Sequence, residues 1–181
     1  MKGLLHLLRH FWLDADDVER TLSAGALERI EARVHDSELR HRGEICVCVE
    51  ASLPVSYLWR HLRQRVSMEQ IVHERALTLF GKLGVWDTEL NNGVLIYVQL
   101  AEHRIEIVDD RGLARHVPDT EWEETLAGMR ERFRDGHYED GIARAIDAVT
   151  AALERHFPAD TPTGEPPQSR ENQLPNRPVI R

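Results

Sequence analysis

Two runs of apolar residues interrupt a mostly polar chain, and each has the length of a single β-strand. The first, Glu44–Glu50, sets five consecutive apolar residues between two glutamates, and the second, Val94–Val98, follows an Asn-Asn-Gly turn. Uninterrupted apolar runs of this length are typical of strands that helices cover on both faces. Helical patterns fill the stretch between the runs, so we predict a helical crossover that makes the two strands parallel.

A third strand, at 104–108, is predicted directly after the second. Apolar and polar residues alternate along its start, and residues 101–103 suit a tight reversal of the chain. The two strands then form an antiparallel hairpin, which makes the sheet mixed. In such a hairpin the turn before the first strand lies beside the turn after the second. We therefore expect residues 86–93 and 109–112 to meet at one edge of the sheet.

Helices are predicted before, between and after the strands from apolar residues at helical spacing. Ser23 and Ser67 suit the N-caps of two of them, because a serine side chain accepts a hydrogen bond from a first-turn backbone N–H. The residues expected to pack include Leu58, Trp59, Leu62 and Val66 on the helix after Pro54, and Trp86 and Trp122 elsewhere. The predicted fold class is α/β, a three-layer α/β/α sandwich around a small mixed β-sheet of about four strands.

Composition divides the chain into three segments. Residues 1–22 begin with four leucines among basic residues and histidines, and we predict an N-terminal amphipathic docking segment there. Residues 23–157 form the predicted domain. Residues 158–181 hold six of the eight prolines and few apolar groups, so a disordered Pro-rich tail is predicted. The first segment lacks a small-residue cleavage site and makes a poor secretory signal.

The charge balance limits the classes of partner. The chain has 30 % charged residues and a formal net charge of −8, with both signs mixed along most of its length, which argues against nucleic acid. No apolar run reaches the ~20 residues that span a bilayer, so no transmembrane segment is predicted. Cys46 and Cys48 lie within the first strand and are expected to be buried thiols, which fit a reducing compartment. We predict a cytoplasmic protein, with peripheral membrane contact through residues 1–22 as the alternative.

Several short motifs keep a characteristic order and spacing. A Gly-Glu pair starts the first strand at 43–50, a Leu-Phe pair with glycines ends a helix at 79–84, and Trp-Asp follows. Asn-Asn-Gly-Val-Leu-Ile occupies 91–96, Arg-Ile-Glu-Ile occupies 104–107, and Phe-Arg-x-Gly-x-Tyr-x-x-Gly-Ile occupies 133–142. Over about residues 23–157 the chain resembles the TPM domain family. That family includes a thylakoid acid-phosphatase-like protein of photosystem II repair and many bacterial proteins of unknown role.

The resemblance implies an α/β/α sandwich, binding of calcium or another divalent cation in some members, and acid phosphatase activity in plant members. The chain departs from the common bacterial pattern, since it shows no convincing signal peptide and no transmembrane anchor or Gly-rich tail after the domain. The exported, membrane-tethered setting of many relatives is therefore not expected here.

Oxygen-bearing side chains concentrate at the edge where the two turns are expected to meet. Calcium takes six to eight oxygen ligands, and turns rich in carboxylates and amides commonly supply them. The predicted calcium or magnesium site consists of Asp87, Asn91, Asn92, Asp109, Asp110 and, through the resemblance, Asp119. The same residues also suit ordinary solvated turns, and no EF-hand pattern is present. Glu50 and Glu102 mark the opposite edge, where open α/β sheets more often bind ligands.

Three functions from different classes are compatible with these residues. The first is a binding or regulatory module that takes up a divalent cation at the hairpin edge. The second, implied by the resemblance alone, is a metal-dependent acid phosphatase of low or narrow activity, with Arg104, Arg111 or Arg115 holding phosphate. No Cys-x5-Arg loop, nucleophile elbow or P-loop is present, and no catalytic residue is assigned. The third is a structural partner of a membrane-associated complex, bound through the N-terminal segment.

Overall fold

The helices and strands follow the predicted order in the computed structural model, which describes residues 10, 12–159 and 172–181. The helices of these residues are α1 (Ala15–Thr21), α2 (Ala24–Glu38), α3 (Val55–Gln64), α4 (Met68–Lys82), α5 (Arg111–Ala114), α6 (Asp119–Arg134) and α7 (Tyr138–His156). The strands are β1 (Glu44–Glu50), β2 (Gly93–Gln99), β3 (Arg104–Asp109) and β4 (Val179–Ile180).

The four strands form one mixed sheet in the order β3-β2-β1-β4. β1 and β2 pair in parallel along their whole length, from Glu44 opposite Gly93 to Glu50 opposite Gln99. β2 and β3 pair antiparallel. The predicted crossover and hairpin are therefore both confirmed, and β2 is an inner strand that fixes the turns at its two ends.

Two hydrophobic cores, one on each face of the sheet, confirm the three-layer α/β/α sandwich. Val47 and Ile96 face the core formed with α1, α2, α6 and α7. Cys46 and Leu95 face the core formed with α3 and α4. Successive residues of a strand point to opposite faces, so an unbroken apolar run supplies both cores at once.

Serine side chains cap two helices as predicted, and both cysteines are buried as free thiols. Ser23 Oγ accepts from Ala26 N at 3.3 Å, and Ser67 Oγ accepts from Gln70 N at 3.2 Å, so both predicted N-caps are confirmed. Cys46 and Cys48 are buried and not joined in a disulfide. Burial raises the pKa of each thiol to about 12, which keeps both protonated and unreactive at neutral pH.

The N-terminal part of the chain enters the domain earlier than predicted. Asp14 caps α1 in a reciprocal capping box with Asp17, and this fixes the helix start. Val18 and Leu22 are 0 % and 1 % exposed in the first core. Residues 15–22 are thus part of the domain rather than of a segment docked on it, while residues 1–9 lie outside the described ranges.

The predicted disorder of 158–181 is wrong for the last ten residues, which lie along the sheet. β4 pairs in parallel with Cys48 and Val49 of β1, and Leu174 is buried in the second core. The edge of β1 has backbone N–H and C=O groups that pair with this segment, which therefore becomes ordered although it has few apolar residues. The composition of the segment alone does not indicate this pairing. The rest of the predicted tail, residues 160–171, lies outside the described ranges.

The apolar stripe of α3 does not pack as predicted. Leu58 is buried, but Trp59 is 58 % exposed and Leu62 is 55 % exposed. Trp86 is also exposed, whereas Trp122 is buried as expected. The helix contacts α4 through its other face, where the Tyr57 hydroxyl meets the Thr78 hydroxyl at 2.8 Å. No helix of the described residues combines the length and apolarity needed to cross a membrane.

Candidate cation site at the hairpin edge

The turn before β2 and the turn after β3 meet at one edge of the sheet, as predicted. The backbone N–H of Asp110 donates to Gly93 O at 2.9 Å, and that of Gly112 donates to Asn91 O at 2.7 Å. These bonds extend the β2–β3 ladder into the turns. The oxygen-bearing side chains of both turns are therefore held in a fixed relation by the sheet.

Two glycines permit this close approach. A Cβ on Gly112 would lie 2.2 Å from Asn91 O, and a Cβ on Gly93 would lie 2.0 Å from Val85 O. Both obstacles are backbone atoms, which cannot move aside as a flexible side chain can. A residue without a Cβ is thus needed at each position, and it sets the distance between the turns.

Asp110 is the carboxylate at the centre of this edge. It is 8 % exposed and caps the short helix α5, with its Oδ1 accepting from Arg111 N at 2.7 Å. No hydrogen-bond donor of the described residues reaches its buried Oδ2. Buried polar atoms normally have a hydrogen-bond partner, so this oxygen is the candidate contact for an ion or a water molecule at this edge.

Asn91 supplies an amide oxygen, and a cationic side chain already contacts it. Arg111 donates to Asn91 Oδ1 from Nε at 2.9 Å and from Nη2 at 2.5 Å. Asn91 has φ of 53°, a left-handed conformation that asparagine tolerates better than most residues. Both donors contact the same oxygen, so a metal cation would have to displace at least one of them to bind Asn91 Oδ1.

Asn92 ties the edge to the loop that precedes β1. It is 1 % exposed, and its Nδ2 donates to Arg42 O at 2.8 Å. Its backbone N–H donates to Thr88 Oγ1 at 3.1 Å. Because its amide nitrogen is engaged by a carbonyl, the side chain is held in one orientation.

The structure unites some of the predicted ligands and not others. Asp109 is half-buried at the end of β3, beside Asp110, so Asn91, Asn92, Asp109 and Asp110 share the edge. Asp87 is exposed, in the turn before β2. The sixth predicted ligand, Asp119, is the first residue of α6. No group of three or more His, Cys, Asp or Glu suited to a metal ion occurs within 10, 12–159 and 172–181.

Two glutamates near this edge were missed by the sequence analysis. Glu44 is buried opposite Gly93 in the β1–β2 register. Glu38 Oε1 accepts from Ile45 N at 3.0 Å, and burial, with the Glu44 charge adding to it, raises the pKa of Glu38 to about 8. Glu38 is therefore largely protonated at neutral pH. The only sequence signal is the position of Glu44 at the start of an otherwise apolar strand.

At the opposite edge, Glu50 is fully engaged by neighbouring side chains. Arg75 donates to both of its oxygens, at 2.5 and 3.0 Å, and the Tyr97 hydroxyl donates to Oε2 at 2.6 Å. Burial, reinforced by the Glu50 charge, raises the pKa of Tyr97 well above its ordinary value. Arg75 falls among apolar positions of its helix in the sequence, which is a sign of a buried ion pair.

Glu102, the other candidate at that edge, is held by His10. The His10 Nε2–H donates to Glu102 Oε1 at 2.8 Å, and its Nδ1 accepts from Leu53 N at 3.0 Å. This pair of bonds fixes one neutral tautomer, with the proton on Nε2. A cavity of about 300 Å³ opens beside it, lined by Glu69, Glu102, His103, Arg104, Ile105 and Arg134. Because two acids and two arginines line it, the cavity favours no single ligand charge.

Comparison with known proteins shows which family the chain belongs to. The model of the TPM domain matches residues 15–152, most of the chain. The chain belongs to the TPM domain family. The match begins at the start of α1, in agreement with the burial of that helix in the first core. The resemblance drawn from the short motifs is thereby confirmed.

Two solved structures resemble this TPM domain. The NMR structure of the BA42 protein from the psychrophilic bacterium Bizionia argentinensis is 26 % identical, with a TM-score of 0.67, and the alignment covers 87 % of this chain and 94 % of that one. The N-terminal domain of a P. gingivalis protein is 23 % identical, with a TM-score of 0.55 and coverages of 74 % and 77 %. The latter likeness concerns the fold alone. No curated protein matches the chain significantly.

Proposed function

We propose that this TPM domain is a binding module that takes up a calcium or magnesium ion at the hairpin edge. The observation that carries the proposal is the buried Oδ2 of Asp110, which no donor of the described residues reaches. A divalent cation would satisfy this oxygen, and Asp109 and the two asparagines supply further oxygen ligands. Water molecules complete the coordination shell in sites of this kind.

The charge of the site sets its expected affinity. Two carboxylates and two amides are fewer charged ligands than a high-affinity EF-hand provides, so we expect a dissociation constant of about 10⁻⁴ to 10⁻³ M. The arginine on Asn91 lowers the affinity further, because its guanidinium competes with the metal for the same oxygen. Binding therefore releases Arg111, and this release gives the module a way to respond to the ion.

A calcium titration followed by amide NMR tests the proposal. In the wild type, the amides of Asp110, Gly93 and Gly112 should shift with a saturable, millimolar dependence. Asp110→Asn should weaken binding about tenfold, and Arg111→Gln should strengthen it severalfold. Asp135→Asn, at an exposed aspartate on the loop before α7, is the matched control and should leave the affinity unchanged. Absence of saturable shifts at about 10 mM calcium or magnesium would refute the proposal.

The other predicted functions have no specific support in the described residues and stay predictions. The phosphatase hypothesis required an arginine near the metal, and Arg104 lies at the start of β3, about 17 Å of strand away from Asp109. Arg111 does lie at the site, bound to Asn91. A role in a membrane-associated complex through residues 1–22, and a cytoplasmic location, are likewise predictions.

A further inference from the structure

The outward side of α3 carries three apolar side chains in a row. Val55, Trp59 and Leu62 are 62 %, 58 % and 55 % exposed. Their i, i+4, i+7 spacing places them on one side of the helix, opposite the side that contacts α4. Scattered single apolar residues on a surface are ordinary, but a contiguous row on one helix marks a contact surface.

The helix itself is firmly attached to the domain. Leu58 is buried in the second core, and Arg60 is paired with Glu74 of α4 at 2.6 Å. The His61 ring contacts Val66 O at 2.7 Å and closes the C-terminal end. The exposed row is therefore presented by a fixed helix and does not result from an unpacked segment.

Basic residues flank the row, and acidic ones are absent there. The Arg63 guanidinium lies 5.9 Å from the centre of the Trp59 ring, and Arg65 follows at the end of the helix. No Asp or Glu occurs from 54 to 68. Arg60 is paired with Glu74, so Arg63 and Arg65, both exposed, carry the positive charge of this stretch in a chain of net charge −8. The α3 face, defined here as Val55, Trp59, Leu62 and Arg63, is thus a cationic apolar surface on an acidic protein.

His10, the first residue of the chain that the structure describes, lies next to the start of α3. His10 accepts a hydrogen bond from Leu53 N, two residues before Val55. The nine residues that precede His10 contain four leucines, Lys2 and Arg9, and no acid. Those nine lie outside the described ranges, but the chain reaches His10 next to the start of α3.

We propose that the α3 face is a docking surface for a lipid bilayer rich in anionic headgroups. Tryptophan and leucine on one side of a helix, with arginines at its margin, are the composition of helices that lie in the membrane interface. The arginines reach the headgroup phosphates while the apolar side chains enter the acyl boundary. A stable protein dimer buries about 800 Å² on each partner, which is more than a row of three side chains offers. Charge complementarity and the small apolar area both favour the lipid surface.

Sedimentation of the full chain with vesicles tests the proposal. The wild type should bind phosphatidylcholine vesicles that contain about 30 % phosphatidylglycerol at least tenfold more strongly than pure phosphatidylcholine vesicles. Addition of about 0.5 M NaCl should reverse most of the difference. Trp59→Ser/Leu62→Ser and Arg63→Glu should each reduce binding about tenfold, with unchanged circular dichroism, because these side chains are exposed.

Two controls on other surfaces make the test specific. Trp86→Ser removes a tryptophan of similar exposure, 52 %, at the opposite edge of the sheet, and Arg144→Glu reverses an exposed charge on α7. Both should bind as the wild type does. Equal binding to the two vesicle types, no binding by the wild type, or equal losses in controls and α3 variants would overturn the proposal. A wild-type dimer that Trp59→Ser/Leu62→Ser converts to a monomer would assign the face to a second copy of the chain and also overturn it.

Discussion

Replacing Arg75 by methionine should lower the free energy of unfolding by about 3–5 kcal/mol. The Arg75 and Glu50 side chains are 8 % and 5 % exposed, and their two hydrogen bonds measure 2.5 and 3.0 Å. Methionine fills much of the same volume but leaves the Glu50 carboxylate buried with only the Tyr97 hydroxyl to stabilise it. The loss therefore comes from an uncompensated buried charge and not from a cavity.

The double variant Glu50→Gln/Arg75→Met separates these causes. Glutamine still accepts a hydrogen bond from the Tyr97 hydroxyl and carries no charge, so the double variant should recover about 2 kcal/mol or more of the loss. Neutral replacement of both members of a buried pair is frequently tolerated well. The measurement is urea unfolding at pH 7 followed by circular dichroism, with both the midpoint and the slope compared.

The matched control is another bidentate pair that is open to water. Arg33 donates to Asp147 at 2.9 and 2.7 Å, but the two side chains are 47 % and 52 % exposed. Arg33→Met should cost no more than about 1 kcal/mol, because solvent screens the pair and solvates the remaining charge. If Arg75→Met costs as little as Arg33→Met, or if the double variant is no more stable than Arg75→Met, the reasoning is refuted.

Two further predictions concern the sheet edge and the end of the chain. The raised pKa of Glu38 means that the folded protein binds this proton more tightly than the unfolded chain does, so the free energy of unfolding should fall from about pH 5 to pH 8. In urea unfolding, Glu38→Gln should reduce this pH dependence by up to ~1 kcal/mol per pH unit. An unchanged pH dependence would contradict the raised pKa of Glu38. Leu174→Ala should cost about 2 kcal/mol and increase hydrogen exchange at the amides of Ala51 and Arg181, which donate to Arg181 O and Val49 O beside β4. A change below ~0.5 kcal/mol would mean that the segment contributes nothing to the second core.

The order of elements could be predicted because it rests on local patterns that tertiary contacts reinforce. A half-exposed strand alternates apolar and polar residues, whereas the runs of β1 and β2 are apolar throughout, which indicates strands covered on both faces. The predicted helical crossover between them makes parallel pairing the simplest arrangement. Ser23 and Ser67 mark helix starts through bonds within one turn of chain. Each of these inferences depends on residues close in sequence.

The errors concern contacts between distant parts of the chain. β4 forms because the edge of β1 presents free backbone groups, and nothing in the composition of residues 172–181 encodes that partner. The apolar residues of α3 predict a packed face, but the helix packs on α4 and the second core through Tyr57 and Leu58 instead. A hydrophobic stripe on a helix indicates that this side packs against an apolar surface, but it does not indicate whether that surface belongs to the same chain.

The meeting of the two turns could be predicted from the sequence, whereas the contacts of their side chains could not. The hairpin geometry brings the two turns together, and four of the six predicted residues share the edge. The sequence did not reveal that Arg111 donates to Asn91, or that Asp110 Oδ1 accepts a hydrogen bond from Arg111 N and so caps α5. Both facts follow from α5, a short helix at a place where the sequence predicts only a turn.

The two sheet edges differ in whether their buried carboxylate oxygens have hydrogen-bond partners, and this difference favours the hairpin edge as the candidate site. Open α/β sheets usually bind ligands at the carboxyl ends of their parallel strands, which here would be the edge of Glu50 and Glu102. Those carboxylates already contact Arg75, Tyr97 and His10, so the protein's own side chains use them even though a cavity opens beside Glu102. A buried carboxylate oxygen that lacks a donor among the described residues belongs to Asp110, at the other ends of β1 and β2.

This division also keeps the two proposals independent. β1 separates the turns of the cation site from the start of α3 by about 20 Å of strand, more than two Debye lengths at physiological salt. A bilayer docked on the α3 face would therefore leave the cation site in water, and an ion bound there would barely change the field at Arg63. Asp110→Asn should thus leave vesicle binding unchanged, and Arg63→Glu should leave the calcium affinity unchanged. Coupling between the two would show that the sheet edges do not act separately.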